Sequence, residues 1–187
     1  MKRLLIMTVG KTHSGKTTFA KELEKKISNT VVIDQDNHAE FLHSYYQALI
    51  PKQGPNLIKY AITRTIVDYA INETDCHIIR CNSNRNGKDR LKWLSHYHKK
   101  GFISILVNFN IPEHILKERI ANSKRNMNII RAFSTFEEVL VQQIEESNNG
   151  DIMPPTKGEA NHLFTINNSS EVDYVIEKIR DIAQSPT

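Results

Sequence analysis

The stretch Gly10-Lys11-Thr12-His13-Ser14-Gly15-Lys16-Thr17 decides how this chain folds. It matches the pattern GxxxxGK[ST], in which a loop turns its backbone N–H groups inward around a phosphate group. An apolar run over residues 4–9 precedes the loop, and a helix-prone run over residues 17–27 follows it. A strand before the loop and a helix after it are the context that the pattern requires, so we expect a nucleoside triphosphate as the ligand.

Each residue type in this loop suits one part of a nucleotide. We expect nucleotide contacts from Gly10, His13, Ser14, Gly15, Lys16, Thr17 and Thr18. The Lys16 ammonium is expected to reach the β- and γ-phosphates and to act in catalysis, whereas the Thr17 hydroxyl is expected to bind Mg²⁺. His13 is expected to contribute its backbone N–H more than its imidazole. The alternative is a glycine-containing turn with a solvated lysine, which the flanking strand and helix disfavour.

The rest of the chain alternates short apolar runs with helix-prone segments. The predicted strands cover residues 4–9, 30–33, 77–81, 102–109 and 162–166. The predicted helices cover residues 17–27, 38–48, 57–72, 88–99, 112–123, 134–147 and 171–183, and the sixth opens with the capping box Ser134-Thr135-Phe136-Glu137. Such alternation predicts an α/β fold with three layers, in which helices cover both faces of a parallel sheet. Ligands of such sheets bind beyond the carboxyl ends of the strands.

Two carboxylates follow the second predicted strand at this edge of the sheet. Asp34 and Asp36 are two residues apart, a spacing that directs both side chains the same way. We expect Asp34 to help hold Mg²⁺, directly or through water, and Asp36 to act as the catalytic base that accepts the proton of a substrate hydroxyl. The alternative for either residue is that it caps the next helix or ends a turn.

The phosphate loop together with Ile33-Asp34-Gln35-Asp36 resembles the P-loop small-molecule kinases, in particular uridine kinase and nicotinamide riboside kinase. In those enzymes a segment of this kind carries an aspartate that faces the substrate. The resemblance therefore implies the same role for Asp36. It also implies a five-stranded P-loop NTPase sheet with the strand order 2-3-1-4-5.

The middle of the chain resembles the AAA_33 group of zeta-toxin-like and polynucleotide-kinase-like proteins. Those proteins often have a strand that ends in Asp-Ala-Thr-Asn, with an arginine six residues later. Here Asn84 and Arg90 match that pattern, while Ser83 replaces the threonine and Cys81 stands in the place of the aspartate. Because Cys81 is not acidic, we expect the aspartates that follow the second strand to supply the acidic side chains of the site.

A basic segment over residues 117–125 continues to Arg131. In the resembling kinases, the helix after the fourth strand ends in a mobile lid whose arginines cover the nucleotide. The resemblance implies a small lid at about residues 119–133, in which Arg119 stacks on the base and Arg125 or Arg131 contacts the transferred phosphoryl group. The alternative is a solvated basic helix end, which the helix dipole favours in any case.

Composition predicts a single domain over residues 1–187, because no change in composition divides the chain. The first apolar run covers about six residues, fewer than the roughly seven to fifteen of a signal-peptide core, and no run is long enough for a membrane span. The two cysteines, Cys76 and Cys81, lie five apart in one predicted strand and so face opposite sides. We therefore expect a cytoplasmic protein from a reducing compartment.

The net charge of +4 and the isoelectric point near 9.0 suit an anionic ligand. Nucleic-acid binding is not favoured, because the lysines and arginines are spread along the chain and are not interleaved with aromatic residues. The expected partners are a nucleotide and a small-molecule acceptor, without a membrane, and the chain is expected to be a monomer or a homodimer.

Together these features predict a kinase that uses ATP and Mg²⁺ to phosphorylate a hydroxyl of a small metabolite such as a nucleoside, a sugar or a nucleotide-like molecule. The acceptor is expected to lie over Asp36, between residues 37–60 and the lid. Alternatives are a polynucleotide 5′-hydroxyl kinase and a zeta-toxin-like kinase of nucleotide sugars. A nucleotide-binding switch or regulatory ATPase is a further alternative, which is disfavoured because the sequence contains neither DxxG nor Asn-Lys-x-Asp.

Overall fold

Five strands form one parallel sheet, in which their order is β2-β3-β1-β4-β5. The computed structural model describes residues 2–130, 133–150 and 152–185, with the backbone alone at Asn128. The strands are β1 (Leu4–Gly10), β2 (Thr30–Ile33), β3 (His77–Arg80), β4 (Ile103–Phe109) and β5 (His162–Ile166). The predicted parallel sheet and the strand order 2-3-1-4-5 are thereby confirmed.

Helices connect these strands and follow the last one. Within the described residues they are α1 (Lys16–Lys26), α2 (Gln35–Tyr45), α3 (Leu57–Asn72), α4 (Gly87–His98), α5 (Glu113–Ala121), α6 (Phe136–Asn148) and α7 (Val172–Gln184). Single 3₁₀ turns lie at Gln47–Leu49, Met127–Ile129 and Ser169–Glu171. None of the helices in the described ranges is long and apolar enough to cross a membrane.

Two predicted helix starts were wrong, and in both cases a capping side chain is the reason. The helix α2 begins at Gln35 instead of residue 38, because the Asp34 carboxylate accepts a hydrogen bond from the Asp36 N–H and so caps the helix. The capping box of α6 lies one residue later than predicted: Thr135 is the cap and accepts from the Glu138 N–H at 3.2 Å. The Glu138 carboxylate accepts in turn from the Ser134 N–H at 2.8 Å.

The sheet is covered on both faces, and its strands therefore carry apolar residues on both sides. Alternate residues of β1 enter two separate cores, since Leu4 and Ile6 pack on one face while Leu5 and Met7 pack on the other. The first core joins that face to α1, α5, α6 and α7. The second core joins the opposite face to α3 and α4. This is the predicted three-layer sandwich.

The parallel register brings the carboxyl ends of the strands to one edge. In β4, Phe109 lies between Gly10 of β1 and Ile166 of β5. In β3, Arg80 lies between Ile33 of β2 and Met7 of β1. The phosphate loop after β1, the aspartates after β2 and the segment after β3 therefore emerge side by side.

The strand β3 ends at Arg80, so the prediction of one strand that carries both cysteines was wrong. Cys76 precedes the strand and Cys81 follows it, and both thiols are free. The chain leaves the sheet at this point, and the Ser83 carbonyl accepts a hydrogen bond from the Gly10 N–H at 3.0 Å. The segment after β3 is thus tied to the start of the phosphate loop.

A buried ion pair holds the other end of this segment. The Arg90 side chain, which is 1% exposed, donates two hydrogen bonds to the Glu159 carboxylate, from Nε at 2.8 Å and from Nη2 at 3.1 Å. Its Nη1 donates to the Asn84 and Arg85 carbonyls, both at 3.1 Å. Burial opposes the charge of Glu159, but the hydrogen bonds from Arg90 and the Thr156 N–H outweigh it and lower the pKa of this carboxyl. Arg90 therefore acts as an anchor for the loop after β3.

We expect Glu159→Gln to lower the free energy of unfolding by about 3 kcal/mol, because it leaves the buried Arg90 charge without its counterion. Urea unfolding at neutral pH measures this loss. The matched control is Glu22→Gln, which removes an exposed pair with Lys25 and should change stability by less than about 0.5 kcal/mol. Equal losses in the two variants would contradict the anchoring role.

Candidate active site

A cavity of about 890 Å³ opens at the carboxyl edge of the sheet. Of the predicted site residues, those that line it are His13, Ser14, Gly15, Lys16, Thr17, Thr18, Asp36, Arg119 and Arg125. Gly10 and Asp34 are not among the residues that line the cavity. Arg131, the other predicted phosphate contact, lies outside the described residues. The structure thus brings nearly all of the predicted residues into one cavity.

The phosphate loop leaves backbone N–H groups without partners at the start of α1. Gly15 caps this helix with a left-handed φ of 97°, and no side chain accepts a hydrogen bond there. The first turn also contains no acidic residue. At Gly10, an added Cβ would lie 2.9 Å from the Phe109 Cβ and 3.0 Å from the Ser14 Oγ, so only glycine fits. The unpaired N–H groups and the helix dipole make this end of α1 suited to an anion.

Lys16 provides a cation without a carboxylate partner at the same place. Its ammonium donates to the Lys11 carbonyl at 2.5 Å and to the Ser14 Oγ at 3.1 Å. Burial, together with the charge of the Arg125 guanidinium, lowers the pKa of the Lys16 ammonium to about 8. A buried cation that has only neutral acceptors fits a phosphate ligand, whose charge would favour the ammonium form.

The Thr17 hydroxyl lies against Asp34. It donates to the Asp34 Oδ2 at 3.2 Å, while the Asp34 Oδ1 accepts from the Asp36 N–H at 3.0 Å. Burial raises the pKa of Asp34, and the negative charge of Asp36 adds to this effect. Asp34 is therefore a helix cap and a neighbour of Thr17 at the same time. These hydroxyl and carboxylate oxygens are ligands of the kind that Mg²⁺ prefers. A positive ion beside Asp34 would also stabilise the charged form of this buried carboxylate.

Cys81 completes this group from the end of β3. Its Sγ lies 3.6 Å from the Thr17 Oγ1. Burial, together with the charge of Asp34, raises the pKa of the Cys81 thiol to about 12. A thiol that stays protonated is a poor ligand for a hard cation. Within the described ranges, no three His, Cys, Asp or Glu side chains are grouped to hold a metal ion by themselves.

Asp36 contacts Arg125, one of the arginines of the predicted lid. The Arg125 Nη2 donates to the Asp36 Oδ2 in an ion pair, and the side chains are 32% and 40% exposed. The Arg125 guanidinium also lies 5.5 Å from the centre of the Phe136 ring. Two of the three predicted catalytic side chains are thus direct partners, which their separation of 89 residues in the sequence does not reveal.

His13 joins the phosphate loop to the segment after α5, a contact that sequence reasoning missed. Its Nε2 lies 2.9 Å from the Ser123 Oγ, and its ring packs edge-on against Phe136 with 4.7 Å between centroids. Burial, together with the charges of Arg125 and Lys16, lowers the pKa of His13 to about 4. The imidazole is therefore neutral near neutral pH and acts as a hydrogen-bonding group.

The helix α6 also contacts the loop, and no motif indicated this. The Gln143 Oε1 accepts from the Thr12 N–H at 2.7 Å. Arg85 donates to the Gln143 carbonyl and to Glu146, and so holds α6 to the segment after β3. A glutamine in the middle of an amphipathic helix carries no sequence signal for such a contact, because only tertiary packing brings it to the loop.

Arg119 is held between the phosphate loop and the 3₁₀ turn Ser169–Glu171. Its Nη1 donates to the His13 carbonyl at 3.2 Å, and its Nη2 donates to the Ser169 Oγ at 3.0 Å. The apolar residues Phe109, Ile111 and Ile166 line the same cavity. A guanidinium plane beside apolar walls provides a slot of the kind that holds a planar base.

The remaining predicted residues have structural contacts. The Asn84 Nδ2 donates to the Thr8 carbonyl at 2.9 Å, and Arg90 is the anchor described above. Of the segment after β2, only Gln35 and Asp36 line the cavity. His38, within the predicted substrate region 37–60, instead contacts the Thr63 Oγ1 at 2.8 Å.

Comparison with solved structures finds the same overall fold in several proteins. A putative kinase from Chloroflexus aurantiacus aligns over 100% of this chain and 98% of its own, with a TM-score of 0.65 and 19% identity. Chaetomium thermophilum Kti12, solved with ADP-AlF3, aligns over 97% and 100%, with a TM-score of 0.62 and 16% identity. The Mycobacterium tuberculosis APS kinase CysC, solved with AMPPNP and APS, aligns over 98% and 99%, with a TM-score of 0.56 and 16% identity.

No curated protein sequence matches this chain at a significant level. The model of the AAA_33 family, described as an AAA domain, matches residues 5–146 and therefore well over half of the chain. The matched region contains the phosphate loop, both aspartates, the segment after β3 and the lid arginines. This chain therefore belongs to the AAA_33 family and has the fold of the P-loop small-molecule kinases.

Proposed function

We propose that this protein transfers the γ-phosphoryl group of ATP, bound with Mg²⁺, to a hydroxyl of a small metabolite. The observation that carries the proposal is the carboxylate of Asp36, which lines the same cavity as the phosphate loop and is paired with Arg125. A carboxylate held beside a phosphate site, but not used in the loop itself, is placed to act on a second substrate.

The proposed donor site extends from Arg119 to Lys16. The base occupies the apolar slot beside Arg119, and the phosphates lie against the N–H groups at the start of α1. Lys16 contacts the β- and γ-phosphates, while Thr17 and Asp34 hold the Mg²⁺ ion. When bound, Mg²⁺ neutralises charge on the β- and γ-phosphate oxygens.

Transfer then involves Asp36 and Arg125. The acceptor hydroxyl oxygen forms a bond to the γ-phosphorus, and the bond between that phosphorus and the oxygen bridging to the β-phosphate breaks. The hydroxyl proton passes to the Asp36 carboxylate, and ADP is the leaving group. Arg125, released from Asp36, neutralises charge on the transferred group.

We also propose that residues 119–133 form a lid and that residues 37–60 border the acceptor, within one domain over residues 1–187. The 3₁₀ turn Met127–Ile129 lies against α2, and Ile129 and Ile130 line the cavity. APS kinase, solved with AMPPNP and APS, has a comparable fold and supports a site for both a nucleotide and a small acceptor.

The decisive test separates transfer from nucleotide binding alone. We expect Asp36→Asn to leave ATP affinity nearly unchanged and to lower transfer by about 10²–10⁴-fold, because a base acts on the acceptor hydroxyl and not on ATP. ATP consumption across a panel of hydroxylated metabolites, together with nucleotide-binding titrations, measures both effects.

The control is Asp34→Asn. If Asp34 serves the metal, a higher Mg²⁺ concentration should partly restore activity in this variant and not in Asp36→Asn. A loss of ATP binding in Asp36→Asn would reverse the two assignments. Nucleotide binding without transfer to any metabolite would indicate a switch or a regulatory ATPase.

The lid should respond to nucleotide. We expect amide hydrogen exchange over residues 119–130 to slow when AMPPNP and Mg²⁺ bind, because phosphate contacts add to those that hold Arg119 and Arg125. Mass spectrometry of peptides measures the change, and peptides from α4 serve as an internal reference. Unchanged protection would indicate a static basic segment.

The pKa of Lys16 predicts how nucleotide affinity depends on pH. Since the pKa is lowered to about 8, the free protein loses the Lys16 charge above that pH, and nucleotide binding then takes up a proton. Above about pH 8 the dissociation constant of ATP should rise, and its increase should approach about tenfold per pH unit. Calorimetric titrations in two buffers measure the affinity and the proton uptake.

Lys16→Arg is the matched variant, because a guanidinium stays charged throughout this range. It should bind ATP more weakly but with little dependence on pH up to about pH 9.5. The same pH dependence in both proteins would exclude Lys16 as the titrating group.

A further inference from the structure

The side chain of Gln143 holds one peptide group of the phosphate loop. Its Oε1 accepts a hydrogen bond from the Thr12 N–H at 2.7 Å. The other end of the same peptide group is the Lys11 carbonyl, which accepts from the Lys16 ammonium at 2.5 Å. Because a peptide group is planar, Gln143 and Lys16 bind opposite edges of one plane. With Gln143 in place, this plane cannot rotate without losing both hydrogen bonds.

The helix α6 brings Gln143 to this position. Phe136, Val139 and Gln143 have the spacing i, i+3 and i+7, so they share one face of the helix, and all three line the cavity. Phe136 and Leu140 are buried and pack α6 into the first core. The half-buried Gln143 amide is partly shielded from water, which strengthens its bond to the loop.

A buried arginine fixes the turn of α6 that carries Gln143. Arg85, whose side chain is 8% exposed, donates from Nη1 to the Glu146 Oε2 at 2.9 Å. Its Nη2 donates to the Gln143 carbonyl. Arg85 belongs to the segment after β3, whose Ser83 carbonyl accepts from the Gly10 N–H at 3.0 Å. The phosphate loop is thus held at two points by elements that are bound to each other.

The place of this contact in the loop links it to Lys16. The hydrogen-bond acceptors of the Lys16 ammonium among the described residues are the Lys11 carbonyl and the Ser14 Oγ. The Lys11 carbonyl therefore helps to set the direction of the ammonium. A peptide group whose N–H donates a hydrogen bond is polarised, and its carbonyl becomes a stronger acceptor.

We propose that Gln143 is a positioning residue for phosphoryl transfer, which acts through the Lys11–Thr12 peptide group to hold the Lys16 ammonium in place. The inference rests on the proposed function and adds a residue to its machinery. Gln143 touches none of the reacting atoms in this role. A displaced ammonium lowers kcat more than nucleotide affinity, because the charge that it stabilises is greatest in the transition state.

Gln143→Met tests the role, since it removes the acceptor and keeps a side chain of similar length. We expect kcat to fall by about 10–100-fold, because small displacements of a catalytic group are costly. The KM for ATP and the affinity for AMPPNP should change by less than about threefold. The assay uses the full chain with ATP, Mg²⁺ and the best acceptor of the metabolite panel, and calorimetry measures AMPPNP binding.

Two further variants separate the hydrogen bond from packing. Gln142→Met is the matched control and should keep the wild-type kcat, because Gln142 is exposed on the same helix and donates to Glu146. Gln143→Glu retains an acceptor for the Thr12 N–H, so its kcat should exceed that of Gln143→Met by about fivefold. Hydrogen exchange of the Thr12 amide, measured by NMR, should be faster in Gln143→Met than in Gln143→Glu.

Equal kcat values in Gln143→Met and Gln142→Met overturn the inference, and so does a loss that Gln143→Glu does not restore. A loss of AMPPNP affinity as large as the loss of kcat assigns Gln143 a structural role alone. If ATP is hydrolysed but no acceptor is phosphorylated, the proposed function fails, and the same comparison of kcat for hydrolysis decides the role of Gln143. If the protein turns over no ATP, both fail.

Discussion

The central position of β1 is the constraint on which the rest of the site depends. This strand pairs with β3 on one side and β4 on the other, and it enters a core on each face of the sheet. Because it cannot shift without breaking both ladders, the loop that follows it emerges at a fixed point. Gly10 then turns close against Phe109, where no side chain would fit. The unpaired N–H groups at the start of α1 are placed by the same strand.

The charged groups of the cavity suit a ligand that carries negative charge. Lys16 and the start of α1 have no acidic partner, which costs stability unless an anion binds. On the other side, burial and the charge of Asp36 raise the pKa of Asp34, an effect that Arg125, the ion-pair partner of Asp36, partly offsets. Such groups, held by the fold before any ligand arrives, need little rearrangement when charge develops during a reaction. In the proposed transfer, the Arg125–Asp36 pair must open before an acceptor hydroxyl can approach the carboxylate.

Cys81 shows how one substitution in a family pattern changes the chemistry of a site. The resembling proteins often carry an aspartate at this position, whereas here a protonated thiol packs against Thr17. A second carboxylate at this point would lie beside Asp34, whose pKa is already raised by burial and by Asp36. The thiol avoids that repulsion and leaves Asp34 as the only carboxylate in contact with Thr17 among the described residues.

The sequence by itself determined the phosphate loop, the alternation of strands and helices, and the positions of Asp34 and Asp36, because these follow from local spacing and periodicity. The resemblance to known kinases supplied the strand order and singled out Arg119 and Arg125. Only the tertiary structure decided that Arg125 pairs with Asp36, that His13 bonds to Ser123, that Gln143 bonds to the loop and that the Asn82 Oδ1 has no hydrogen-bond partner among the described residues. The start of α2 also differed from its prediction, because Asp34 both caps the helix and contacts Thr17. Most of these contacts join residues that are distant in the chain, so no local sequence pattern encodes them. The burial of the Asn82 Oδ1 likewise depends on how distant segments enclose it.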